Sequence, residues 1–248
     1  MTKTRALLFD VNGTLIDIET DECMEEVYRG IAHFLTYQGI RLRRGEVRDL
    51  YFQIMKEQFA ANTEKYPEFD VVAVWREFLQ RQATDYTRSL SAEKFRQMPL
   101  ILAEMQRGIS RKRLLAFPQT QEILTQLKSR YRLAVVSDAQ SAYALPELRR
   151  AGLADYFSPI VISGDYGFRK PDARLFQAAL DKLEIGPAEA IFIGNDRFRD
   201  VLGARQVGMK TILFCPNGSS CGSSETAPDY LLYQYADLPR AIEFLDGV

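Results

Sequence analysis

Six short apolar runs punctuate the chain, at 6–9, 133–136, 160–162, 190–193, 211–214 and, more weakly, 230–232. Each is bounded by polar or glycine-bearing residues, so the pattern predicts buried strands rather than helices. Between them, Ile123, Leu124 and Leu127 recur at helical spacing, as do Leu175, Phe176, Ala179, Leu180 and Leu183. Strands that alternate with amphipathic helices predict an α/β fold, with a parallel sheet covered on both faces and joined by right-handed crossovers.

Residues 19–108 follow another rhythm. Met24, Val27, Tyr28, Ile31, Phe34 and Leu35 form one amphipathic stripe, helical patterns continue over 50–60 and 71–86, and no strand run is visible. The organisation expected is a helical insertion, 19–108, between the first strand and the remaining sheet, leaving 1–18 and 109–248 as the core. The aromatic residues of the insertion (Tyr28, Phe34, Tyr37, Tyr51, Phe52, Phe59, Trp75 and Phe78) stand at helical spacing and are expected to form its core. The stretch 218–228 is too polar to pack and reads as a loop, and no internal repeat is present.

Composition narrows the class. A chain of 248 residues with 46% apolar content suits one large domain, or a core plus an insertion. Its 32 basic and 33 acidic side chains make no positive field for nucleic acid. No apolar run approaches the roughly 18 residues needed to span a membrane, and the first residues run straight into a strand without a signal-peptide pattern. Cys23, Cys215 and Cys221 are odd in number and lack metal-like pairing, so the expected setting is reduced and cytoplasmic. His33, the only histidine, lies in a helical pattern and is expected to be structural, which excludes Ser-His-Asp and Cys-His mechanisms.

The chemistry-bearing residues sit at strand ends. The first strand delivers Asp10 into Val11-Asn12-Gly13-Thr14-Leu15, and the second ends in Ser137-Asp138. The third leads to Gly167-Phe168-Arg169-Lys170-Pro171-Asp172, the fourth to Gly194-Asn195-Asp196-Arg197-Phe198-Arg199-Asp200. Singly, each has a plain reading: a turn carboxylate, a helix N-cap, a solvated lysine, a first-turn acid. In a parallel sheet, however, these loops share one edge, where a carboxylate, a hydroxyl, an ammonium and an acid pair would converge.

This ordered set resembles the haloacid dehalogenase-like (HAD) superfamily, across about 1–18 and 109–248. The resemblance implies a Rossmann-like parallel core with an inserted α-helical cap. It implies a hydrolase in which Asp10 attacks phosphorus to form an aspartyl-phosphate. It further implies Mg²⁺ held by Asp10, the backbone carbonyl of Asn12 and an acid of the fourth loop. There Asp196 is the expected ligand and Asp200 its orienting partner, with Asn195 ranked below them. Lys170 would hold both Asp10 and the phosphate, while Ser137, Asp138, Thr14 and backbone N–H groups would bind phosphate oxygens. The implied partner is a small phosphorylated molecule. The sequence names neither the substrate nor the oligomeric state.

Two positions depart from that pattern. Asn12 stands where related phosphatases carry an acid that exchanges protons with the leaving group and then with water; an amide cannot do this near neutral pH. Asn195 follows Gly194 where relatives often have an acid. The expectation is therefore a slow phosphatase that favours good leaving groups. The rival readings are a metal-free 2-haloacid dehalogenase, a non-catalytic binder of a phosphorylated ligand and, between them, a phosphotransferase.

Overall fold

The computed structural model describes residues 3–216 and 226–247. In chain order the elements are β1 (Ala6–Phe9), β2 (Ile16–Thr20), α1 (Glu25–Tyr37), α2 (Arg44–Ala61), α3 (Val71–Gln82), α4 (Asp85–Ser89) and α5 (Ala92–Ser110). There follow β3 (Arg111–Ala116), α6 (Thr120–Lys128), β4 (Arg132–Ser137), α7 (Ser141–Arg150), β5 (Ile160–Ile162) and α8 (Ala173–Leu183). The chain closes with β6 (Ala190–Gly194), α9 (Gly203–Gln206), β7 (Lys210–Phe214), β8 (Tyr230–Leu232) and α10 (Leu238–Asp246).

Six strands form one sheet in the order β5-β4-β1-β6-β7-β8, with every neighbouring pair parallel. Every run read as a strand is one. β1 is central and wholly buried because both of its sheet faces are covered. Leu7 and Phe9 face a layer with Val135, Ile191 and Ile193, whereas Ala6 and Leu8 face Val136, Phe192 and the apolar side of α8. Phe9 is in register with both Val135 and Ile193, so the carboxyl ends of β1, β4 and β6 emerge together. This places the Asp10, Ser137 and Gly194 loops along one edge.

The helical excursion α1–α5 leaves and re-enters this core through a second, two-stranded sheet of β2 and β3, which are antiparallel. Hydrophobic periodicity did not predict that ribbon, and the reason is chemical. Ile16, Ile18, Leu114 and Ala116 turn inward onto the core, but they are separated by charged residues such as Asp17, Glu19 and Arg113, which pair on the exposed side, so no continuous apolar run marks the ribbon. Within the excursion Tyr28, Tyr51, Trp75 and Phe78 are buried, and Trp75 stacks on Tyr51 at 4.8 Å. Phe34 and Phe52 pack against that cluster, but Tyr37 is 76% exposed and is not core. Tyr143 of α7 joins the same cluster, so it is continuous with the face of the α/β unit.

Among the described residues, no helix is long and apolar enough to cross a membrane. Cys23 is a free, exposed thiol, and Cys215 is buried just after β7. Cys221, with most of the predicted 218–228 loop, lies outside the described residues.

One contact ties the chain's last segment to the loop after β1. The fully buried Tyr235 hydroxyl donates to the Thr14 carbonyl at 2.8 Å. Removing that donor strands a buried carbonyl, so Tyr235→Phe is expected to cost about 1–3 kcal/mol. Urea denaturation of the two proteins under identical conditions measures the difference.

Candidate functional site

The loop after β1 turns back on itself through Gly13, whose φ of +77° is open to glycine at little cost. Its Gly13 and Thr14 amides donate to the carbonyls of Ile16 and Val11, so they are used within the turn. This corrects part of the expectation that the amides of this loop bind phosphate. The turn leaves Asp10 buried at its base, 6% exposed.

Lys170 reaches Asp10 from the loop between β5 and α8. Its Nζ lies 2.7 Å from Asp10 Oδ1 and 2.7 Å from Asp200 Oδ1, and all three side chains are buried. Burial alone would depress the ammonium pKa, but Asp10, Asp200 and Asp138 reverse that and hold it above the ordinary lysine value. Burial pushes the Asp200 carboxyl up to about 6, against the downward pull of Lys170. The other oxygen of Asp200 accepts the amides of Asn195 and Asp196, at 3.0 and 2.9 Å. A Cβ at Gly194 would stand 2.4 Å from Asp200, so only glycine admits this carboxylate beside β6.

A π-helical turn, Arg197–Leu202, sets the two acids of the fourth loop on different tasks. Asp196 caps it, accepting the amides of Phe198 and Arg199 at 2.9 and 2.7 Å, and it pairs with the Arg199 guanidinium at 3.2 Å. Burial opposes ionisation of Asp196, yet these contacts hold its pKa below the usual range. Asp200 contacts Lys170 directly, Asp196 is turned to the cap of its own turn, and Asn195, ranked lowest, reaches the Asp10 loop. Arg199 is half-exposed and feels the fields of Asp196, Asp200, Asp10 and Asp138. Phe198 packs edge-on against Tyr66 of the helical excursion.

Ser137 and Asp138 close the other side. Asp138 Oδ1 accepts the Lys170 amide at 2.8 Å, and burial raises its pKa against the opposing charge of Lys170. Neither residue caps α7 with its side chain; Gln140 stands at that position. Three buried polar atoms around Asp10 have no hydrogen-bond partner among the described residues: Asn12 Oδ1, Ser137 Oγ and Asp138 Oδ2. Buried polar atoms are ordinarily paired, so a cluster of unpaired ones on these loops marks where a bound group would sit.

Oxygen donors for a hard cation lie on the face of Asp10 away from Lys170. Thr14 Oγ1 stands 3.4 Å from Asp10 Oδ2 and 3.3 Å from Asn195 Oδ1, so a carboxylate and an amide oxygen flank one hydroxyl. With the unpaired oxygen of Asn12, these fit Mg²⁺ in kind, although with fewer formal charges than two carboxylates would bring. No cluster of three or more histidine, cysteine or acidic side chains is arranged to hold a metal among the described residues. Sequence reasoning also missed Glu68, Gln140 and Ser163, which line the join between the helical excursion and these loops. None of them carries a motif.

Comparison with known proteins agrees with this geometry. A family model for haloacid dehalogenase-like hydrolases matches residues 4–208. The chain is 28% identical over 213 residues to a glyceraldehyde 3-phosphate phosphatase of Methanothermobacter thermautotrophicus, covering 84% of each. It is 25% identical over 240 residues to a phosphoglycolate phosphatase of Agrobacterium fabrum, covering 95% of this chain and 91% of that one. Among solved structures, a 2-haloacid dehalogenase from Pseudomonas syringae superposes with a TM-score of 0.72 at 22% identity, covering 98% and 99% of the two chains. That likeness is one of fold.

Lys170→Met would leave Asp10 and Asp200 buried without their cation, at an expected cost of about 3–5 kcal/mol. The native state of the variant then binds protons that the unfolded chain does not, so its stability should rise as pH falls towards 5. Urea midpoints at pH 5 and 8, compared with those of the unaltered chain, check both the size and the sign.

Proposed function

Because this chain belongs to the haloacid dehalogenase-like hydrolases, we propose that it hydrolyses a small phosphorylated metabolite through an aspartyl-phosphate on Asp10. The observation that carries this reading is the Lys170 ammonium, 2.7 Å from Asp10, at an edge lined by unpaired polar atoms. A carboxylate approaching an anionic phosphoryl group needs fixed positive charge beside it, and Lys170 supplies that without reorganising. In this reading Asp10 attacks through the oxygen not bound to Lys170, and the bond from phosphorus to the leaving oxygen breaks. Ser137 Oγ donates to a phosphoryl oxygen, and Asp138 keeps Lys170 in place through its amide. Asp10, Asn12 and Asn195 would hold Mg²⁺. When bound, the ion neutralises phosphoryl charge.

Asn12 sets the rate. With no acid at this position, the leaving group departs as its own anion, so aryl and acyl phosphates turn over faster than alkyl phosphates. Water must then attack the aspartyl-phosphate without a base at residue 12. The substrate class follows from the relatives, which are phosphatases of small phosphorylated metabolites by name. The helical excursion is read as the cap, with its limits near 19 and 108, and the setting is read as cytoplasmic.

One further reading draws on a specific observation. Asn12 and Asn195 both stand where acids are expected, and the carboxylate of Asp196 is committed to its own turn. A metal-free displacement of halide from a 2-haloacid by Asp10 needs none of those acids.

Release of phosphate from aryl, acyl and alkyl phosphates with Mg²⁺, beside release of halide from chloroacetate, decides between the two. For the phosphatase, Asn12→Asp should accelerate alkyl esters by about 10²–10⁴-fold while changing aryl esters less. Asp10→Asn should abolish turnover and the phosphorylated adduct seen by intact mass. Halide release that needs no metal would replace this reading with the dehalogenase.

A further inference from the structure

The segment 62–71, between α2 and α3, crosses from the cap onto the core; beside the ring contact of Tyr66 with Phe198, it hydrogen-bonds to two of the four loops at once. On one side, Gly167 offers its carbonyl to the Asn62 side chain at 2.7 Å and to the Glu68 amide at 3.0 Å. The Arg169 amide donates to the Tyr66 carbonyl at 2.9 Å, and Pro67 and Phe168 form an antiparallel bridge. These bonds clamp the three residues before Lys170. On the other side, Gln140 donates to the Phe69 carbonyl at 2.7 Å and accepts the Val71 amide at 2.9 Å. That clamps the chain just beyond Asp138.

Glu68 links the two sides. It is a cap carboxylate, only 9% exposed, lying against no cation within ion-pair distance among the described residues. Its Oε2 accepts the Ser163 hydroxyl at 2.8 Å, and its Oε1 accepts the Phe69 amide at 3.1 Å. Ser163 Oγ in turn accepts the Ala139 amide at 3.0 Å. The path therefore runs from the cap through Ser163 to Ala139, whose neighbour Asp138 holds the Lys170 amide at 2.8 Å. Burial raises the Glu68 pKa against the Ser163 hydroxyl. Arg169 favours its charge from beyond ion-pair distance, and a buried carboxylate with no paired cation is costly to keep for packing alone.

We propose that Glu68 is a positioning residue: through Ser163 it makes the placement of the Ser137-Asp138 loop, and hence of Lys170, depend on the seating of the cap. The catalytic consequence rests on the phosphatase reading, while the structural consequence does not. A glutamine preserves the linkage in a way that an alanine cannot. Its amide oxygen accepts the Phe69 amide and its NH₂ donates to Ser163 Oγ, whose own hydrogen turns to the Ala139 carbonyl, already 3.2 Å away.

Amide hydrogen exchange on the full chain tests this with Glu68→Ala, Glu68→Gln and Ser163→Ala, read at the Lys170 amide and followed by kinetics on the best phosphate ester. Glu68→Ala and Ser163→Ala should each speed exchange at Lys170 by about tenfold or more, at unchanged far-ultraviolet circular dichroism. They should also lower kcat/KM about 10–100-fold, mostly through kcat. Glu68→Gln should match the unaltered chain in both. Native protection at Lys170 in Glu68→Ala overturns the proposal, as does a Glu68→Gln protein as impaired as the alanine variant. If Glu68→Ala does not fold, the Ser163→Ala and Glu68→Gln pair decides by the same criteria. If no phosphate ester turns over in any protein, the exchange result stands by itself, separating failure of this proposal from failure of the phosphatase reading.

Discussion

Everything at the site depends on one buried ammonium shared by two carboxylates. Removing three charges from water is expensive, and their mutual attraction offsets that cost only where the geometry is close and the remaining lone pairs are satisfied. The first condition is met around Lys170, and the second is met at Asp200. Lys170 Nζ is 2.7 Å from Asp10 and from Asp200, and the free oxygen of Asp200 takes two backbone amides. The sheet order makes this possible. β1 lies between β4 and β6, so Asp10 and the loop of Asp200 leave adjacent strands at the same level. The loop after β5 then carries Lys170 across from the far side of β4. The triad is a consequence of parallel topology as much as of residue choice.

The two asparagines set the charge of this arrangement. Asp10, Asp138 and Asp200 bring up to three negative charges, and Lys170 with Arg199 brings two positive ones. An acid at residue 12 or 195 would add a further negative charge at this edge, at 195 beside the Thr14 hydroxyl that meets Asp10. Their replacement by amides keeps oxygen acceptors there, as the contact of Asn195 with Thr14 illustrates, but removes proton exchange and weakens the pull on a divalent cation. In the proposed phosphatase the site would keep the means to present a nucleophile and lose much of the means to manage protons.

What the sequence made legible was whatever burial dictates. Leu7, Phe9, Ile191 and Ile193 had to be strand residues because apolar runs that short are covered on both faces only inside a parallel sheet. Their termini then placed Asp10, Ser137, Lys170 and Asp200 together. Two kinds of feature stayed hidden. The β2–β3 ribbon is short, with only Ile16 and Ile18 of β2 alternating inward between charged residues, and it offers no continuous apolar run to read. The division of labour between Asp196 and Asp200 depends on a π-helical turn, in which Val201 bonds back five residues to Asp196; no spacing rule for an acid pair contains that rotation. Tyr37 shows the converse limit, since a residue on the expected apolar spacing still faces solvent.

The join between cap and core belongs to the hidden kind, because it consists of backbone carbonyls and neutral side chains from residues far apart in sequence. Gly167 accepts two hydrogen bonds from the cap, at a φ of +77° that bends its loop towards residues 62–68. Gln140 donates and accepts across the same seam. None of these bonds is strong, since each replaces one to water and nets about 0.5–1.5 kcal/mol. Their placement matters more than their sum. They bracket Lys170 and Asp138 from both sides, so lifting the cap would loosen the ammonium that neutralises Asp10 as well as admit water. The Asp10–Lys170–Asp200 cluster, assembled from three loops, then takes its final geometry with a fourth segment, from outside the sheet, seated on it.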